Sequence, residues 1–194
     1  ALEIFESRDV KHPRLNVAIT SLAEIHYQRG EFREAQQMFE RAVAICEEAY
    51  GPEHVQTATA LLGVGGALVE LKRAEDAIAV LERARVAYEK NYGAQSPRLV
   101  SLLVALGQAR LLLEEREVGL ELLRQAIRNA ESVPTATSEQ AEARFALARA
   151  LWGDPTTRAE ARTLALRVVE SDGEDDIRIV HVRDEAKRWL REHG

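Results

Sequence analysis

The stretch Gly63-Val64-Gly65-Gly66 is the first place in this sequence where chemistry could be sought. A phosphate-cradling loop uses glycines in this way, because backbone N–H groups then approach an anion with no Cβ between. Such a loop needs a strand before it and a helix N-terminus after it, and neither is present here. His181-Val182-Arg183-Asp184 has the residue types of a phosphoryl-transfer catalytic loop. No Asn follows at the needed spacing and no Gly-rich loop precedes it, so a catalytic role is set aside. The five histidines, at positions 12, 26, 54, 181 and 193, have no partner at metal-ligand spacing. Cys46 has no neighbouring His to activate its thiol, and no nucleophile-elbow motif occurs. The acidic run at 171–176 lacks the alternating oxygen ligands and terminal Glu of a calcium loop. Its better use is at a helix N-terminus, where the macrodipole favours carboxylates. No enzyme activity, metal or cofactor is expected.

The chain that would position such residues is rich in helix formers. It has 194 residues, 46% hydrophobic and 30% charged, with only 5% aromatic and 5 prolines. That is ample for a packed core and favours an all-α fold. The net charge of −6 is evenly spread: residues 1–100 carry 12 basic and 15 acidic side chains, and the rest 14 and 17. With no basic block to release counterions, nucleic acid is not an expected partner. No apolar run is long enough to span a bilayer, and the opening ALEIFESRD is not a signal peptide. One cysteine allows no internal disulfide and is compatible with a reducing compartment. These features point to a soluble cytoplasmic protein.

A repeat organises the helices. Gly51 and Gly93 lie 42 residues apart, as do His12 and His54, and Pro13 and Pro97 share a phase two periods apart. Four further series run in phase: Ala23, Gly65, Gly107; Ala35, Ala77, Gly119; Phe39, Leu81, Leu123; and Ala42, Ala84, Ala126. Each unit reads as two helices with apolar stripes at helical spacing. In the first unit Gly30 separates them, and Gly51 followed by Pro52 ends the second, with Gly51 supplying a left-handed residue. The expected boundaries are 9–51, 52–93 and 94–134, then a degenerate unit at 135–172 and a capping helix at 173–194. Residues 1–8 read as the end of a preceding repeat helix, so the chain reads as a piece of something longer. In the cap, Ile179, Val182, Ala186, Trp189 and Leu190 form one stripe, with Trp189 its anchor.

These residues resemble the tetratricopeptide repeat family, in its long-unit, kinesin-light-chain-like form. Leu22-Ala23 matches the Leu-Gly/Ala pair, Gly30-x-Phe32 the turn, and Ala35, Phe39 and Ala42 the second-helix signature. Lys72 and Glu114 stand where the turn glycine is usual. The order of units, with the run at 143–152 and the final Arg-Trp-Leu-Arg-Glu-His, is also similar to the C-terminal repeat region of bacterial serine/threonine protein kinases. The resemblance implies an all-α right-handed α-solenoid of helical hairpins with a C-terminal capping helix.

It also implies a ligand groove along the first helices, lined by Glu24, Tyr27 and Gln28, then Leu62, Gly66, Val69 and Glu70, then Val104, Gln108 and Leu111, with Arg149 in the last unit. Phe145 and Trp152 complete that series. Gly65 takes the closest helix approach and is structural. Gly63 and Gly66 fall on the groove floor, at about 1 kcal/mol each relative to Ala and with no visible packing return. The asparagine pairs of kinesin-type repeats are replaced by Thr20-Ser21, Leu62-Gly63 and Val104-Ala105, and the Lys/Asn/Arg carboxylate clamp of chaperone-binding repeats is missing. What remains is an apolar groove edged by Glu24, Glu70 and Arg149. The expected role is a protein–protein interaction scaffold that takes an amphipathic helix or apolar peptide, anchored over Leu62, Val69 and Leu111, within a larger bacterial signalling protein. Other outcomes are open: self-association or a purely architectural role, a degenerate catalytic or nucleotide-binding role, or a groove filled by the chain itself, with the cap helix over Phe145 and Trp152.

Overall fold

The computed structural model describes residues 13–132, 138–171 and 176–193. Among them are nine α-helices and no strand. The chain divides into two compact units, residues 1–93 and 94–194. Unit 1 contains α1 (Pro13–Gln28), α2 (Phe32–Tyr50), α3 (Val55–Glu70) and α4 (Ala74–Tyr92), with each helix packed on the next.

The turns inside the hairpins are set by backbone chemistry. Gly30 sits at φ 76°, its N–H donates to Tyr27 O (3.0 Å), and the next N–H, of Glu31, donates to His26 O (2.9 Å). This is the Schellman closure, which satisfies carbonyls left open at the helix end. Lys72 repeats it at φ 62°, with Arg73 N–H donating to Leu68 O (2.9 Å), and Glu114 repeats it at φ 61°, with Glu115 N–H donating to Arg110 O (3.0 Å). Two non-glycine residues therefore hold a left-handed conformation because their repeat position demands it. The ends of the turn are also tied by side chains, His26 to Glu31 (2.5 Å) in unit 1 and Arg110 to Glu115 (2.7 Å) in unit 2.

Between hairpins the chain turns differently. Gly51 has φ 91° and ψ 165°, the glycine-favoured extended region and not the left-handed helical conformation the sequence suggests. His54 then caps α3, its Nδ1 accepting from the Gln56 N–H (3.1 Å) while its ring stacks on Tyr50. Ser96 holds the same phase in unit 2 and does the same work, accepting from the Arg98 N–H (3.3 Å).

Unit 2 begins with a 3-10 turn, Pro97–Leu99, and continues with α5 (Val100–Leu112), α6 (Arg116–Ala130), α7 (Ser138–Leu151), α8 (Arg158–Val169) and α9 (Ile177–His193). Helix α5 is apolar nearly all round and is buried from Leu102 to Gly107. Its Gly107 faces Gly119 of α6 so closely that a Cβ on Gly107 would lie 3.0 Å from the Gly119 carbonyl oxygen. Asn129 of α6 donates to the carbonyls of Ala94 (2.9 Å) and Ser96 (3.1 Å), fixing the entry to α5. The α7–α8 turn uses Asp154, whose carboxylate accepts from the Thr156 N–H and hydroxyl. Helix α9 is the cap, with Ala186 buried together with Ala141 and Phe145 of α7 and Val168 of α8. Of the acidic run, residues 172–175 lie outside the described residues, as do residues 1–12.

One carboxylate in unit 2 is placed against its charge. Glu142 of α7 accepts from the Ser101 hydroxyl of α5 (3.1 Å), and burial pushes its pKa above the ordinary glutamate value. Glu139 pushes the same way, and Arg178 opposes. Because the folded state holds this proton more tightly than the unfolded chain, stability falls as pH rises above the ordinary glutamate value. Glu142→Gln is expected to melt higher than the parent at pH 7, with the gain vanishing below the ordinary glutamate range; a thermal-melt series across pH reads both. The turns give a second expectation. Lys72→Gly and Glu114→Gly each remove a left-handed non-glycine residue and should add about 1 kcal/mol in urea unfolding.

Candidate functional site

In unit 1 the inward positions of α1 and α3 lie side by side. A Cβ on Gly66 would meet only the Tyr27 ring, 3.7 Å from Cε2 and 3.8 Å from the hydroxyl oxygen, which is ordinary contact. Tyr27 is held edge-on by Phe32, ring centres 5.3 Å apart. Glu24 and Gln28 are exposed, and Leu62 and Glu70 are half-buried. Neither Glu24 nor Glu70 has a hydrogen bond or ion pair among the described residues. Val69 is only 5% exposed and belongs to the core, so it offers little to a ligand.

Gly63 does not lie on a free floor. A Cβ there would overlap the Phe39 ring of α2, so this glycine has the packing return that the sequence left invisible. Gly65 stands as expected, since a Cβ would overlap Leu81 of α4. Only Gly66 of the three has room for a side chain.

In unit 2 the corresponding residues are more enclosed. Val104 is 3% exposed, Gln108 and Leu111 are half-buried, and Leu111 packs into the space left by Gly119. Arg149 is exposed, with its guanidinium 5.9 Å from the Phe145 ring centre. The cap helix closes over this end: Trp189 meets Phe145 (6.2 Å) and Trp152 (5.0 Å) edge-on, and His193 stacks on Trp189 (4.7 Å). An open cleft of about 300 Å³ remains, lined by Phe145 and Arg149 of α7 and by Glu185, Arg188, Trp189 and Glu192 of α9. The α9 contributions were missed because its apolar stripe reads only as a cap; the neighbouring charged row was the available signal.

The groups that could do covalent or metal chemistry are otherwise engaged. Cys46 is fully buried, and burial pushes its thiol pKa up, away from the reactive thiolate. His54 caps a helix, His181 lies 3.6 Å from Glu185 on an exposed face, and the His193 ring is 2.8 Å from the Trp189 carbonyl. Among the described residues no group of three or more His, Cys, Asp or Glu side chains could hold a metal ion. None of the described helices is long and apolar enough to cross a membrane.

The tetratricopeptide repeat model matches residues 14–90 and 60–132. The chain belongs to the tetratricopeptide repeat family. Among solved structures it is similar to the nearly identical TPR-like repeats of a Podosopora anserina protein assigned as a kinesin light chain, at 20% identity, TM-score 0.66, and 94% of both chains covered. A single-substitution variant of those repeats matches at 20% identity, TM-score 0.65, with 93% of each chain covered. No curated protein matches the chain. At this identity the likeness establishes the all-α TPR fold. TPR repeats generally mediate protein–protein interaction, and that is the function class of this chain.

The three clustered glycines separate by substitution. Gly66→Ala should raise stability by about 1 kcal/mol, the ordinary helix gain. Gly63→Ala should lose stability despite the same gain, because Phe39 must move; paired thermal melts decide it.

Proposed function

We propose that the first-helix faces hold a peptide or short helix of a partner protein, without catalysis. The observation that carries this is the face of α1 and α3 in unit 1. Leu62 and Tyr27 offer apolar surface beside Gly66, where a ligand backbone can come close, and Glu24 and Glu70 flank it with no partner among the described residues. An apolar centre with a polar rim is the usual anatomy of such a contact. Unpaired carboxylates beside it favour a segment in which a basic residue adjoins an apolar one. In unit 2, Gln108, Leu111 and Arg149 are the corresponding candidates. A place within a larger bacterial signalling protein is part of the same proposal.

The anchor set is narrower than the sequence implies. A charge at Val69 would be buried and would damage the fold, so Leu62 is the residue to change. Peptides selected from a random displayed library are expected to be rich in Lys or Arg beside an apolar residue. Leu62→Glu should weaken the selected peptides at least about tenfold, equivalent to about 1.4 kcal/mol, with the melting temperature kept. A Glu24→Lys, Glu70→Lys pair should turn the preference toward acidic peptides. Equal binding by the parent and both variants would remove the face from the account.

A further inference from the structure

Helix α9 carries a row of charges that its own side chains leave open. Glu185, Arg188 and Glu192 stand at i, i+3 and i+7, so they share one helix face, with Trp189 beside them. Helix α4 has the same residue types at the same spacing, Glu82, Arg85 and Glu89. There the row closes on itself: the Arg85 Nε–H donates to Glu89 (2.7 Å), and the guanidinium lies 3.8 Å from Glu82. On α9 it does not close. Neither Arg188 nor Glu192 has a hydrogen bond or ion pair among the described residues, and the Glu185 carboxylate meets His181 at 3.6 Å. Arg188 and Glu192 are exposed, and the whole row lines the cleft between α7 and α9.

Across that cleft α7 supplies Arg149, one turn beyond Phe145 and with no carboxylate partner among the described residues. Phe145 and Trp189, ring centres 6.2 Å apart, form an aromatic base between the two helices. Two arginines and two glutamates surround this base, so the charges of the cleft cancel. The net charge of a ligand is therefore not what it can select. The order of charges is. A helix laid along α9 repeats its side chains at the same spacing, so one helix row can complement the other.

We propose that this cleft takes an amphipathic helix of a partner protein, with an apolar side chain over Phe145 and Trp189. A basic–acidic–basic row at i, i+3 or i+4, and i+7 meets Glu185, Arg188 and Glu192, and a second acidic residue meets Arg149. Glu-Arg-Glu reads alike in both directions, so its complement serves a helix of either polarity. Exposed ion pairs stabilise little, so the apolar residue supplies affinity and the charge order supplies specificity. This rests on the reading of the chain as a protein-binding module, and it differs from the unit 1 face in place and chemistry. That face favours a basic segment; this cleft favours a neutral one of fixed order.

A displayed library of helical peptides, with one apolar residue fixed and its neighbours varied among Glu, Lys and Ala, tests this against the full chain. Enriched peptides should carry the row Lys–Glu–Lys. An isomer of the same composition, with the row reordered to Glu–Lys–Lys, should bind at least about tenfold more weakly. Arg188→Glu should weaken the selected peptide by a similar factor, and a Lys in place of the peptide's central Glu should restore binding. Leu62→Glu should leave this binding unchanged, which separates it from peptides held by unit 1. The proposal is overturned if the isomer binds as well, or if the charge reversal restores nothing. Loss of binding in Leu62→Glu overturns it too, because the peptide then lies on unit 1. So does a parent chain that sediments as a dimer dissociated by Arg188→Glu, since a second copy then fills the cleft.

Discussion

The close approach of two helices at one small residue is the constraint from which the rest of each hairpin follows. At Gly107 a Cβ would sit 2.9 Å from Leu123 Cγ and 3.0 Å from the Gly119 oxygen; at Gly65 it would overlap Leu81. The glycines cost about 1 kcal/mol each in helix propensity. In return Leu81 and Leu123 are completely buried, which stabilises by roughly 2 kcal/mol apiece. Where alanine serves instead, at Ala23, Ala35 and Ala77, it too is fully buried. Fixing this contact fixes the helix register, and the register fixes which residue must adopt the left-handed turn.

That chain of dependence explains what could be read from the sequence. The repeat phase located the turns, so Lys72 and Glu114 could be placed at a glycine position and were found in a glycine conformation. Phase also identified Gly65. It misled at Gly63, because the side chain that needs the space, Phe39, comes from the preceding helix and has no counterpart in the spacing of α3 alone. It overstated Val69 and Val104 for a similar reason: position on a helix says which way a residue points, and packing decides how much of it remains. The enclosed carboxylate of Glu142 had no signal, since its surroundings come from Ser101 and Arg178, on helices before and after its own.

The two units present their first-helix faces differently. In unit 1 the candidate face is acidic, with a glycine at its centre and a tyrosine at its side. In unit 2 Val104 is core, Gln108 and Leu111 are half-buried, and Phe145, beside the exposed Arg149, is covered by Trp189, on which His193 stacks. Helix α9 therefore does more than pack on α7 and α8. It converts an apolar first-helix surface into a shallow cleft whose rim carries Arg149, Arg188, Glu185 and Glu192. Recognition at that end would be governed by charge geometry, whereas at unit 1 it would be governed by apolar fit with carboxylates at the edge.

The seclusion of Cys46 has a practical side. It is the sole thiol of the chain, it has no accessible surface, and burial holds it protonated. A cysteine introduced at an exposed site such as Glu24 or Arg149 would consequently be the one residue open to a maleimide dye or spin label in the native state. Distances within each unit, and their response to a bound peptide, can be followed by resonance energy transfer or spin–spin coupling with the native core left as it is.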